Sequence, residues 1–153
     1  MDGYNIMTMK KLIYMFLAAA MIVLAGCKEK DEVKHKIVGE WYYSDEESGH
    51  DLEIYVAFSI DYTFDIYQKI GEGGFRHLTG TYEVDRTLVT GVYSDRTPWA
   101  SDYNVSFVDG NMVMTSTTAD SYSVTYKKQR IPDEIKELSV DMSKSAGQED
   151  YIL

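Results

Sequence analysis

LEIYVAFSIDYTFDIY, residues 52–67, decides the fold class. Leu52, Ile54, Val56 and Phe58 alternate with Glu53, Tyr55, Ala57 and Ser59. After Ile60-Asp61 the alternation resumes, with Tyr62, Phe64 and Ile66 set against Thr63, Asp65 and Tyr67. A period of two turns one face of each run inward, as in a half-buried strand, and a polar break between two such runs predicts a hairpin.

The same pattern continues on both sides. Aromatic and β-branched residues dominate from Ile37 to Arg130 and predict strands near 37–44, 51–59, 62–70, 74–84, 87–93, 101–108, 111–117 and 121–130. Turn signals separate them: Ser48-Gly49, Ile60-Asp61, Gly71-Glu72-Gly73-Gly74, Asp85-Arg86 and Asp109-Gly110. Asp-Gly suits a two-residue hairpin turn, in which both central residues need positive φ. No segment here has helical periodicity, and no connection is long enough for a crossover helix. The chain is therefore all-β, with an antiparallel sheet in up-and-down order. Eight such strands form a barrel or a sandwich, and closure into an eight-stranded barrel removes the exposed edges. After Pro132, DEIKEL predicts one short C-terminal helix with acids in its first turn. Residues 139–153 are polar and aperiodic and read as a loose tail, whose Tyr151-Ile152-Leu153 could dock.

The start of the chain has a different character. Lys10 and Lys11 precede LIYMFLAAAMIV, an uncharged apolar run over 12–23, followed by Leu24-Ala25-Gly26-Cys27. A basic start, a short apolar stretch and small residues before a cleavage point describe a secretory signal. The apolar run falls short of the ~20 residues that span a bilayer. LAGC resembles the lipobox of bacterial lipoproteins, in which cleavage precedes the cysteine and that cysteine is acylated. The resemblance implies a signal peptide over 1–26 and lipid attachment at Cys27. Met9 opens an MKK start, so translation could begin at Met1 or Met9. Cys27 is the one cysteine, which excludes an intrachain disulfide. The plain alternative is a free thiol, which acylation would remove. Each buried methylene of an acyl chain is worth ~0.8 kcal/mol.

Cleavage would leave 127 residues with 13 basic and 24 acidic side chains, a net charge of −11. That suffices for one domain with a core. An acidic surface with no Lys/Arg cluster argues against nucleic acid as a partner. KEKDEVKHK, residues 28–36, is almost wholly charged and predicts a tether over 27–36, leaving 37–131 for the barrel and 132–153 for helix and tail. The charges after Cys27 resemble the acidic export signals of surface lipoproteins.

A second resemblance begins at Gly39-Glu40-Trp41. IVGEWYYS is similar to the G-x-W opening of lipocalins and of bacterial lipocalin-like lipoproteins. FSIDYTFDIY resembles the F-x-x-D-G-T-F hairpin of the bacterial group, with Tyr62 where the glycine stands, and Gly80-Thr81-Tyr82-Glu83-Val84 resembles its G-x-Y-x-V strand. The resemblance spans about 37–131. It implies a barrel closed at one end by Gly39 and Trp41, with Arg130 packed on the indole, and a ligand site at the open end.

The residues that could line such a site are few. Trp99, in RTPWASDY, offers a large amphipathic ring beside a loop and is expected on the rim; the bland reading is a loop residue folded onto its own barrel. Tyr55, Tyr67 and Met114 are expected in the wall, although most of the 13 tyrosines suit strands on propensity alone. Met112 and Met114 share a face but have no third ligand nearby for a soft metal. His35, His50 and His77 lack zinc-ligand spacing, DEESGHD at 45–51 lacks the order of a calcium loop, and GEGGF at 71–75 is not followed by a helix as a phosphate loop would be. No nucleophile motif occurs, so neither metal, cofactor nor enzymatic activity is expected.

The expected function is a lipid-anchored binding protein of the bacterial cell envelope, at the outer membrane and facing either the periplasm or the exterior. Its barrel would hold a small apolar or amphipathic ligand. The alternative is an accessory envelope module with a filled barrel that binds a protein or glycan on its surface. Interior volume separates the two.

Overall fold

The computed structural model describes residues 32–45, 51–142 and 153. Cys27, most of the 45–51 turn and most of the tail lie outside the described residues. A short helix, α1 (Glu32–Lys36), leads into eight strands: β1 (Gly39–Ser44), β2 (Leu52–Phe58), β3 (Thr63–Ile70), β4 (Arg76–Asp85), β5 (Leu88–Tyr93), β6 (Tyr103–Val108), β7 (Asn111–Ser116) and β8 (Ser123–Lys128). Helix α2 (Asp133–Leu138) and a two-residue strand, β9 (Val140–Asp141), follow.

Each of the eight strands pairs antiparallel with its sequence neighbour. Trp41 opposite Lys128 and Tyr42 opposite Lys127 join β1 to β8 and close the ring. The eight-stranded up-and-down barrel expected from the alternation is therefore present, with strand bounds within two residues of those read from the sequence.

The turns follow local chemistry. Asp109 and Gly110 both have positive φ (51° and 81°) between the paired residues Val108 and Asn111. Tyr62 has φ 65°, a left-handed conformation that glycine adopts without strain. A side chain there costs roughly 1–2 kcal/mol. Packing offsets this cost: the Tyr62 ring lies 5.6 Å from that of Tyr82, and the Lys34 ammonium sits 5.1 Å above it.

Alternate residues fill the interior. Trp41, Ile54, Val56, Phe58, Phe64, Ile66, Leu78, Tyr82, Val89, Tyr93, Tyr103, Val105, Met112, Met114 and Tyr126 form one buried cluster. β2 departs from simple alternation, because Ile54, Tyr55 and Val56 are all buried. Helix α2 and its approach cover the outer face here, and a second cluster joins Tyr55, Tyr67 and Ile131 with Tyr42, Ala57, Phe75 and Ile135.

Two expectations for the chain ends are corrected. The charged segment 27–36 is not a tether throughout, since 32–36 is helical and its Val33 is buried in the main core. Val33 and Ile37, both buried in that core, dock the turn. The tail after 139 is not loose from its start. Val140 and Asp141 pair in parallel with Arg76 and His77, where β4 extends beyond its pairing with β5.

Candidate functional site

The barrel has two ends, and a large ring plugs the interior towards each. α1, the β2–β3 turn and the β6–β7 turn gather at one. There Trp41 is buried among Ile37, Phe107 and Lys128. Its Nε1 donates to the Ile37 carbonyl at 2.8 Å, and the Phe107 ring lies 5.8 Å away. The Lys128 ammonium sits 5.7 Å above the indole. Gly39, with φ 143°, brings the chain from α1 into β1.

Arg130 does not take the place beside Trp41 that the resemblance implied. It follows the end of β8, where the chain has turned towards α2, and its guanidinium donates to both carboxylate oxygens of Asp133 at 2.9 Å. Lys128, the residue opposite Trp41 across the closing seam, supplies the cation instead.

Trp99 lies towards the opposite end, and the structure corrects its expected place on the rim. Only 6% of its surface is exposed. The loop after β5 runs back along that strand: the Trp99 N–H donates to the Gly91 carbonyl at 2.9 Å, and Val92 pairs with Pro98. The ring enters the barrel and packs 5.2 Å from Phe64, 6.0 Å from Tyr103 and 6.4 Å from Phe58. Gly91 creates the slot, since a Cβ there would lie 2.1 Å from Trp99 Cε2. A glycine inside the strand LVTGVY is the residue type that permits such a close approach, and it is the sequence signal that the reading of Trp99 as a rim residue missed.

Leu153 is also buried at this end, with its carbonyl accepting from Ala100 N–H at 3.0 Å and from the Tyr93 hydroxyl at 3.3 Å. Docking of this residue agrees with the expectation for 151–153, of which the other two lie outside the described residues. Trp99 Nε1 is buried and has no hydrogen-bond partner among the described residues.

The remaining wall candidates divide by parity. Met114 points inward and is fully buried. Tyr55 and Tyr67 point outward and line the cluster under α2, so they are not interior wall. Their burial comes from the α2 region, which period-two reasoning about a single strand cannot see. Burial pushes the Tyr103 and Tyr126 hydroxyls above the ordinary tyrosine range, and raises Tyr82 to about 12. These groups are held neutral and structural. Tyr103 meets the Tyr122 hydroxyl at 2.8 Å, and Tyr82 donates to the Ser59 carbonyl at 2.8 Å.

Titratable side chains on the outside are fastened to one another. His77 Nε2 lies 2.7 Å from Asp65 Oδ1, and its ring stacks on Tyr67 with centroids 4.3 Å apart. Glu40 accepts from Ile131 N–H at 2.8 Å and from Lys136 at 2.7 Å, which ties α2 to the barrel. Burial pushes the Glu40 carboxyl up, but those two hydrogen bonds and the positive charges of Lys136 and Arg130 outweigh it and hold it below its ordinary value. Among the described residues, no group of three or more His, Cys, Asp and Glu side chains could hold a metal ion.

This geometry defines a small closed antiparallel β-barrel whose described interior side chains form one cluster of aromatic and aliphatic residues. No family model, curated protein or solved structure matches the chain.

Proposed function

We propose that this protein is a lipid-anchored accessory module of the bacterial cell envelope, which acts through the surface of a filled barrel. One observation carries the choice between the filled and the ligand-holding barrel. The described inward side chains occupy the interior along its length, with Trp41 2% and Trp99 6% exposed. A ligand site needs a cavity of ~300 Å³ or more. Among the described residues, one hollow of that size opens on the outer side of β3, β4 and β5, where Thr79, Thr81, Val92 and Ser94 border it over Phe64 and Tyr93, and another lies at the rim beside α1. The anchor rests on LAGC behind the apolar run, and the envelope location at the outer membrane rests on the anchor. Proteins and glycans are the partners that such a polar outer face would take.

A second reading keeps the ligand-holding barrel. The observation that favours it is Trp99 Nε1, a buried donor with no acceptor among the described residues, towards the same end as the seat of Leu153. A small amphipathic molecule entering there would displace Leu153 and accept from the indole.

Two measurements test these readings. Cys27→Ser should release the protein from the membrane fraction or leave it unprocessed; a normally cleaved mutant that still pellets with membranes refutes the anchor. Native mass spectrometry of the protein from its own host, with thermal shift against fatty acids, isoprenoids, sterols and short glycans, tests the interior. The filled barrel predicts no retained interior ligand and no quenching of Trp99 emission. A bound molecule that alters Trp99 emission would establish the second reading instead.

A further inference from the structure

The end of the barrel that carries α1 differs in charge from the opposite end. The chain as a whole has a net charge of −10. At this end Lys34, Lys36 and Lys128 stand around the aromatic rings of Tyr62, Phe107 and Trp41. They face Glu32, Asp61 and Asp109, with Glu32 paired to Lys36, and Asp85 and Arg86 lie in the β4–β5 turn beside them. Basic and acidic groups are therefore balanced here. The acidic excess belongs elsewhere: among the described residues, Asp45, Asp51, Glu72, Asp95, Asp102 and Asp120 stand in connections at the opposite end, with Arg96 the basic residue of those connections.

Two large apolar side chains project from the same end. Ile60, at the tip of the β2–β3 turn, is 80% exposed, and Val108, at the β6–β7 turn, is 55% exposed. The turns flank α1: Lys34 reaches the first at Tyr62, and His35 and Lys36 share a groove with Asp109 and Gly110 of the second.

We propose that this end lies flat on the bilayer to which Cys27 is anchored. Ile60 and Val108 enter the headgroup layer, and Lys34, Lys36 and Lys128 lie at the level of the lipid phosphates. The inference rests on the acylation of Cys27. Chain length then supplies the geometry. Glu32 follows Cys27 by five residues, which span at most ~17 Å when fully extended. A domain of this size is roughly 35 Å across. The connection is too short to let the domain turn its opposite end to the membrane. Charge acts in the same sense: the acidic end is repelled by an anionic bilayer, while the neutral, lysine-bearing end is not. Apolar tips beside lysines are the chemistry that an interface of headgroups accepts.

The test uses the full acylated chain, purified and reconstituted into phosphatidylethanolamine–phosphatidylglycerol vesicles. With Cys27 blocked by lipid, Ile60→Cys, Val108→Cys and Ala119→Cys each offer one thiol for an environment-sensitive fluorophore. Ala119 is exposed in the connection between β7 and β8, at the far end. Labels at 60 and 108 should emit to the blue of the free-solution value and be quenched by brominated lipid, whereas the label at 119 should do neither. Ile60→Asp combined with a label at 108 should weaken the quenching. Acylated protein that floats with vesicles, yet shows no quenching at 60 and 108 or equal quenching at all three sites, overturns the proposal and leaves the anchor standing. A mass showing no acyl chain on Cys27 overturns both.

Discussion

Gly91→Ala is a one-methyl substitution expected to dislodge the largest ring in the upper half of the barrel. The new Cβ would sit 2.1 Å from Trp99 Cε2 and 2.4 Å from Cδ2. Carbon atoms settle at ≈ 3.5–4.0 Å, so the indole would have to retreat by about 1.5 Å. Phe64, Tyr103 and Phe58 stand around it, with centroids 5.2, 6.0 and 6.4 Å away, and leave no room for that retreat. If the strand bends, the cost is that of overpacking, ~1–3 kcal/mol. If the ring leaves, the cost approaches that of truncating a buried tryptophan, ~3–5 kcal/mol. We expect about 3 kcal/mol, a fall in Tm of roughly 10–15 °C. Urea unfolding followed by Trp99 emission, in a Trp41→Phe background, reads both stability and environment. Emission should shift to the red in the folded state if the ring is expelled. Gly74→Ala is the control, because nothing lies within 4 Å of a Cβ built there. A Gly91→Ala protein within ~0.5 kcal/mol of its parent, with unchanged emission, would refute the slot.

The seam between β1 and β8 gives a second test: Trp41→Ala should cost ~3–5 kcal/mol, and in double-mutant cycles it should couple to Lys128→Met by ~0.5–1 kcal/mol. The same cycle with Arg130→Ala should be additive within ~0.3–0.5 kcal/mol, and coupling there instead of at Lys128 would contradict the observed packing. Glu40 supplies a pH dependence. Its folded pKa lies below the ordinary 4.5, so its contribution is complete above that value and is lost as pH falls through the folded pKa. Glu40→Gln should therefore cost about 1 kcal/mol at pH 7, discounted for partial exposure, and the gap to the parent should close in acid. A gap that persists at pH 3 would show that the carboxylate charge is not what holds α2.

The balance between local and tertiary causes can be followed residue by residue. Alternation in 52–67 and the Asp109-Gly110 turn depend on the pleat and on φ preferences of single residues, so strands and hairpins were legible along the chain. The order of strands followed from connections too short for crossovers, and closure from eight strands that would otherwise leave two edges. Other features depend on contacts between distant segments. Tyr55 and Tyr67 are buried by residues 131–135, more than 60 positions away, and no period along β2 or β3 records that cover. Trp99 enters the interior because Gly91 vacates a slot in a neighbouring strand. Lys128 rather than Arg130 meets Trp41 because register across the closing seam, which sequence distance cannot set, places it opposite. Residue patterns along the chain were enough for the all-β barrel and its turns, because pleat, φ preference and connection length are local properties. Which side chains meet inside the barrel is set by contacts between distant segments, because interior packing is a sum over side chains from all eight strands and an inserted loop.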